Sequence, residues 1–114
     1  MNIVNKNELK RMMDSGEKFT LADVRYRISY DYEHIRGAVS LPIDELDRAK
    51  DLFGVDNVIV VYCDSFDCDA SEEAADKLPQ MGFKNVLRYQ GGIKEWKEAG
   101  LPIERGQRRP WRPK

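Results

Sequence analysis

Long apolar runs are missing from this 114-residue chain: nothing approaches the roughly 20 consecutive residues needed to cross a bilayer, and Met1 to Lys10 lack the apolar stretch of a secretion signal. A cytoplasmic protein with no membrane partner is expected. Cysteine is scarce. Two cysteines cannot make a disulfide framework, and in a reducing compartment such a pair points to a reactive or buried thiol. Histidine is scarcer still: two thiols and one histidine do not complete a four-ligand zinc shell, so no metal is expected. Repeats and low-complexity linkers are absent, and the length suits one compact domain. Disorder is also excluded as a default, because 41% hydrophobic residues can fill a core beneath a surface supplied by 34% charged ones.

The net charge of −1 conceals an asymmetry. Arg105 to Lys114 carry five basic residues and no acidic one, which leaves 14 basic against 20 acidic side chains in residues 1–104, a body charge of −6. Pro110 and Pro113 bar regular structure in that tail. It reads either as a solvated extension or as a contact arm for an anionic partner anchored by Trp111. No nucleic-acid partner is expected.

Along the chain, short strand-like runs alternate with amphipathic segments, a βαβα rhythm that predicts a three-layer α/β fold. Asn5 and Glu8 have capping-box-like spacing before the helical face Leu9, Met12 and Met13, and Gly16 closes that helix. Phe19 to Ala22 predict a strand ending at Asp23. A tyrosine-rich turn around Tyr30 and Tyr32 precedes a short strand, Ala38 to Leu41, and Pro42 opens a helix through Leu46 and Ala49. Val58 to Tyr62 is the strongest strand, central and parallel. After a polar loop, Cys63 to Asp69, a helix begins at Ala70 with Asp69 or Ser71 as its cap, and Pro79 limits its length. Asn85 to Tyr89 reads as a last strand, Gly91-Gly92 as a tight turn, and Ile93 to Ala99 as a last helix ended by Gly100 and Pro102.

Cys63 occupies the position that chemistry favours. In open parallel sheets, strand carboxyl ends and helix amino ends meet at one crevice, where loop N–H groups and the helix dipole favour an anion. A cysteine there has its pKa lowered from about 8.5 toward neutrality, and the same cradle suits a persulfide. The alternative is a small apolar residue closing a strand.

Several motifs now agree in order: Leu21-Ala22-Asp23-Val24-Arg25, Tyr32-Glu33-His34-Ile35-Arg36-Gly37-Ala38, Pro42, Val60-Val61-Tyr62-Cys63, Met81-Gly82-Phe83 with Val86, and Gly91-Gly92-Ile93 with Trp96. Over residues 3–104 the chain resembles the rhodanese-like domains. The resemblance implies a domain at 1–104, with 105–114 as the basic tail, and a five-stranded, mainly parallel sheet with helices on both faces. It also implies sulfur transfer, in which the Cys63 thiolate takes sulfur from thiosulfate or a persulfide and passes it to a thiol or cyanide-like acceptor, with no cofactor.

Two departures modify that expectation. The active-site loop, with Asp64, Ser65, Phe66, Asp67, Asp69, Ala70 and Ser71 around the two cysteines, is longer by two residues than in common members and lacks their glycine and arginine. Its three aspartates each oppose a bound anion by about 1 to 4 kcal/mol at 4 Å in wet surroundings, so a neutral or protein-borne donor suits it better than thiosulfate. The missing arginine also argues against phosphatase and arsenate-reductase chemistry, which must hold a tetrahedral oxyanion. Cys68, which makes the loop C-x4-C, is either a resolving thiol or a partly buried loop residue.

The remaining candidates read mostly as scaffold. Asp23 and Arg25, at another strand end, either line the crevice or form a buried ion pair. His34 reads as structural, since a stabilised thiolate needs no base, and Trp96 reads as a core plug. Two functions therefore stand: a sulfurtransferase, and a binding or regulatory module that keeps the fold without useful turnover.

Overall fold

The structure is a computed structural model and describes residues 2–106; the expectations placed on Pro110, Trp111 and Pro113 lie outside these. Strands and helices alternate as β1 (Asn2–Val4), α1 (Lys6–Asp14), β2 (Thr20–Asp23), α2 (Arg27–Tyr32), β3 (His34–Ile35), β4 (Val39–Ser40), a 3₁₀ segment (Ile43–Arg48) running into α3 (Ala49–Leu52), β5 (Val58–Tyr62), α4 (Ala70–Gln80), β6 (Asn85–Tyr89), α5 (Gly92–Glu98) and β7 (Ile103–Glu104).

Five strands form one parallel sheet in the order β1-β6-β5-β2-β4, which places the apolar run β5 at its centre. Alternation of side chains along β5 then divides the core. Ile59, Val61 and Cys63 pack with the 3₁₀ segment, α3 and α4 on one face. Val60 and Tyr62 pack with α1 and α5 on the other. Helices cover both faces, so this is the three-layer α/β/α arrangement expected, and Trp96 is fully buried in its second cluster as the expected plug. Truncating a buried side chain of that size costs about 3 to 5 kcal/mol.

Local signals explain α1. The Asn5 side chain accepts from the Glu8 N–H and the Glu8 carboxylate accepts from the Asn5 N–H, each at 2.8 Å, a reciprocal cap worth about 1 kcal/mol. Gly16 follows with φ +74°, a left-handed turn that suits glycine.

Elsewhere the structure corrects the local reading. The expected turn at Tyr30 and Tyr32 is a helix, α2, held by tertiary contacts: Tyr30 is buried and its hydroxyl donates to the Ala38 carbonyl at 2.6 Å. The segment after Pro42 forms a 3₁₀ helix before a single α-helical turn, with Glu45 kinked at φ −121°. Pro79, by contrast, limits α4 as expected: it lies in the last turn, cannot donate to the carbonyl four residues back, and Gln80 is the final helical residue. Strands β1, β3 and β7, of two or three residues each, have no run long enough to announce them; β3 and β7 pair antiparallel outside the main sheet.

The first two tail residues rest against α2. The Gly106 N–H donates to the Asp31 carbonyl at 2.7 Å, and the Arg105 guanidinium lies over the Tyr32 ring at 5.7 Å. No helix of the described residues is long and apolar enough to cross a membrane.

Candidate active site

The carboxyl ends of β2 and β5 lie side by side, with Asp23 in register with Tyr62, and this brings two sequence candidates to the start of the Cys63 loop. Asp23 and Arg25 form a buried ion pair, with Arg25 Nη2 at 2.7 Å from Asp23 Oδ2. Arg25 also donates to the Glu33 carbonyl at 2.7 Å and reaches Asp64 Oδ1 at 3.5 Å, so the pair is structural and touches the loop as well. The Tyr62 hydroxyl donates to Asp23 Oδ2 at 2.7 Å and accepts from the Ile35 N–H at 3.0 Å. Burial raises the Tyr62 pKa well above the ordinary phenol, and the Asp23 carboxylate adds to it, so Tyr62 stays a donor. Burial pulls the Arg25 pKa down, but Asp23 more than offsets this and leaves it raised.

Cys63 follows Tyr62 and is buried, 1% exposed. The amino end of α5 fixes its loop from one side. The Ile93 N–H donates to the Cys63 carbonyl at 3.0 Å and the Lys94 N–H to the Asp64 carbonyl at 2.9 Å. Such approach requires Gly92: it has φ +68°, and a Cβ there would lie 2.6 Å from both the Asp64 carbonyl carbon and the Cys63 oxygen. A turn then folds the loop back, with the Cys68 N–H donating to the Ser65 carbonyl at 3.1 Å and the Asp67 N–H to Ser65 Oγ at 3.3 Å. Cys63 and Cys68 are joined as a disulfide with Cα atoms 6.4 Å apart. Asp69 precedes Ala70 at the N-cap position of α4 without a side-chain cap bond, and Ser71 is buried inside the first turn. Phe66 is 62% exposed, and Asp64, Asp67 and Asp69 are also exposed. The three carboxylates therefore sit in water, where their opposition to an anion falls toward the lower limit of about 1 kcal/mol.

Sequence reasoning missed Arg88. The alternation of β6 puts Val86 and Arg88 on the same face as Val61 and Cys63, and Arg88 is in register with Val61. Arg88 is 5% exposed, and its guanidinium donates from Nε to Ser71 Oγ at 2.9 Å and from Nη2 to the Cys68 carbonyl at 3.3 Å. Among the described residues no carboxylate forms an ion pair with it. The loop lacks an arginine of its own, but a neighbouring strand brings one beneath it. A signal existed: a cation placed between Leu87 and Tyr89 in a run read as a strand, where a charged side chain is seldom buried unless it has a partner. Arg88→Met is expected to move the pH profile of thiol alkylation in the reduced loop upward, because removing a nearby cation disfavours the thiolate. The rate of iodoacetamide alkylation of reduced protein against pH checks this, with Arg88→Lys recovering part of the shift.

His34 belongs elsewhere. It is fully buried, stacks on Tyr30 with ring centroids 3.8 Å apart, and its Nδ1 lies 2.8 Å from the Tyr30 carbonyl, which is the structural role expected. A groove opens beside the start of the loop, lined by Asp64, Ser65, Ile93 and Lys94 together with Arg25, Glu33, Lys97 and Glu98.

A family model described as "Rhodanese-like domain" matches residues 5–99. The fold is also that of the solution NMR structure of the rhodanese-like domain of an Anabaena sp. protein, with TM-score 0.85 and 32% identity, covering 100% of this chain and 88% of that one. Among curated proteins, an HTH-type transcriptional regulator of Mycobacterium tuberculosis is 38% identical over 104 residues, 90% of this chain and 45% of that protein. The thiosulfate sulfurtransferase GlpE of Actinobacillus pleuropneumoniae is 33% identical over 89 residues, 78% of this chain and 81% of that one. The chain spans half the length or less of the longer curated relatives it matches.

Proposed function

The chain belongs to the rhodanese-like domain family, and from that premise we propose that it is a sulfurtransferase whose reduced Cys63 carries a sulfane sulfur between a donor and a thiophilic acceptor. The observation that carries the reading is the position of Cys63, which leaves the central strand into a loop held by α5 on one side and by Arg88 on the other. Reduction of the Cys63–Cys68 bond precedes any turnover. The Cys63 thiolate then attacks the sulfane sulfur of the donor, the donor's S–S bond breaks, and sulfite or a thiolate leaves. An anionic persulfide remains on Cys63, within the field of Arg88 and of the first N–H groups of α4. A thiol or cyanide-like acceptor attacks the outer sulfur and regenerates the thiolate. A relative named thiosulfate sulfurtransferase supports this activity. The donor is a small sulfur compound or a persulfide-carrying protein, and the groove beside Ser65 and Lys94 is its approach.

The exposure of the loop aspartates sets the donor preference. A persulfide with one negative charge is expected to load Cys63 faster than the thiosulfate dianion, by between roughly fivefold and a few hundredfold, since each of the three exposed carboxylates opposes the extra charge by up to about 1 kcal/mol in water. Intact mass of the reduced protein against time, with glutathione persulfide and thiosulfate in parallel, reads one added sulfur atom per chain. Absence of any gain with either donor would remove the sulfur-transfer reading.

A second reading draws on the disulfide and on the regulator. A domain whose reactive cysteine is tied to Cys68, similar to part of a transcriptional regulator, also suits a binding or regulatory role in which the thiol state is the signal. Loading without turnover in the presence of excess thiol acceptor would favour it.

A further inference from the structure

Building on the sulfur-transfer reading, we infer that Cys68 discharges Cys63, giving the protein a thiol-dependent sulfide-releasing activity. The Cys63–Cys68 bond is the product state of that step. The two Cα atoms are 6.4 Å apart, within the roughly 4.4 to 6.8 Å over which a disulfide closes without moving the backbone. Both ends of the connecting loop are held: Cys63 through its carbonyl by the Ile93 N–H at 3.0 Å, and Cys68 through its carbonyl by Arg88 at 3.3 Å. Arg88 is in turn tied to Ser71 in α4, and the turn at Ser65 brings Cys68 back toward the strand end. A thiol held in this way reacts at a high effective concentration compared with any free thiol.

The chemistry balances. The Cys68 thiol gives its proton to the outer sulfur of the anionic Cys63 persulfide and its sulfur attacks Sγ; the bond from Sγ to the outer sulfur breaks, the outer sulfur leaves with the electron pair as hydrosulfide, and the Cys63–Cys68 bond forms. A thiol reductant then reopens the pair. Cys68 is partly buried whereas Cys63 is 1% exposed, so an incoming thiol meets the Cys68 sulfur first and expels Cys63 as the leaving thiolate, which is the nucleophile needed for the next cycle. A second equivalent of thiol completes the reduction. Overall one sulfane sulfur and two thiols become one hydrosulfide and one disulfide.

The test separates loading from release. Protein is reduced, freed of reductant, and loaded with one equivalent of glutathione persulfide; hydrosulfide and non-reducing intact mass are followed without added thiol. Wild type is expected to release one hydrosulfide per chain and pass to the intramolecular disulfide, whereas Cys68→Ser and Cys68→Ala hold the added sulfur about tenfold longer or more until a thiol is supplied. Wild type that loads and keeps its sulfur as long as both variants would overturn this inference alone. Failure of the wild type to load overturns the sulfur-transfer reading and the inference with it.

Discussion

Cys63→Ser is expected to gain no sulfur from any donor, with loading reduced on the order of 10³-fold or more, the range seen when a covalent nucleophile is removed. Serine is nearly isosteric, so the strand end and its loop keep their shape, but an alcohol is not ionised near neutral pH and does not attack sulfane sulfur as a thiolate does. Cys68 does not take over. It lies beyond the turn at Ser65 and only partly buried, while the cradle formed by the ends of β5 and α5 surrounds Cys63. The variant also removes the cross-link. Closing so short a loop stabilises a protein by about 2 kcal/mol in the chain-entropy account, so Cys63→Ser should unfold at a denaturant midpoint near that of the reduced wild type and below that of the oxidised one. Persistent labelling of Cys63→Ser, seen by intact mass, would sink the assignment.

Gly92→Ala tests the other half of the site and should be the most disruptive substitution of a single hydrogen by a methyl. Residue 92 has φ +68°, which costs an alanine about 1 to 2 kcal/mol. The new Cβ would also meet backbone, 2.6 Å from the Cys63 oxygen and 2.7 Å from the Asp64 oxygen, and backbone cannot swing aside as a long side chain does. Either α5 or the start of the loop must move, weakening the two N–H bonds that hold Cys63 and Asp64, each worth about 1 kcal/mol. A total loss of about 3 kcal/mol or more is expected, a large fraction of the 5 to 15 kcal/mol typical of a domain. Gly100→Ala is the internal comparison. Its φ is +73° but a Cβ there meets nothing within 4 Å, so it should lose only the conformational part. Urea unfolding of the two variants separates strain from close approach, and equal midpoints would show that Gly92 does not brace the loop. Loading of Cys63 in Gly92→Ala should fall in parallel with its stability, whereas Gly100→Ala should load normally.

Much of this site was readable in the chain because the signals were local. Five consecutive apolar residues, Val58 to Tyr62, announce a strand buried on both faces, and the residue that follows such a strand lies at the crevice of a parallel sheet. The Asn5 and Glu8 spacing, the Gly91-Gly92 pair and the five-residue step from Cys63 to Cys68 are likewise contained within one element or one loop. What escaped depended on partners distant in sequence. Helix α2 is too short to hold itself and forms around Tyr30, whose hydroxyl finds the Ala38 carbonyl. Strands β3 and β7 are two residues each and exist only because His34 meets Glu104 and Ile35 meets Ile103.

The sequence alone determined the layered α/β architecture, the central strand and the placement of Cys63 at its end, because hydrophobic period and turn chemistry are properties of contiguous residues. Tertiary structure decided the electrostatics of the loop. On paper the loop is an acidic segment without a cation. In the fold its aspartates face water, Arg25 reaches Asp64 from the end of β2, and Arg88 comes under Cys68 from β6, since strand register and burial, not nearness in the chain, select which charges a sulfur anion meets and how strongly water screens them.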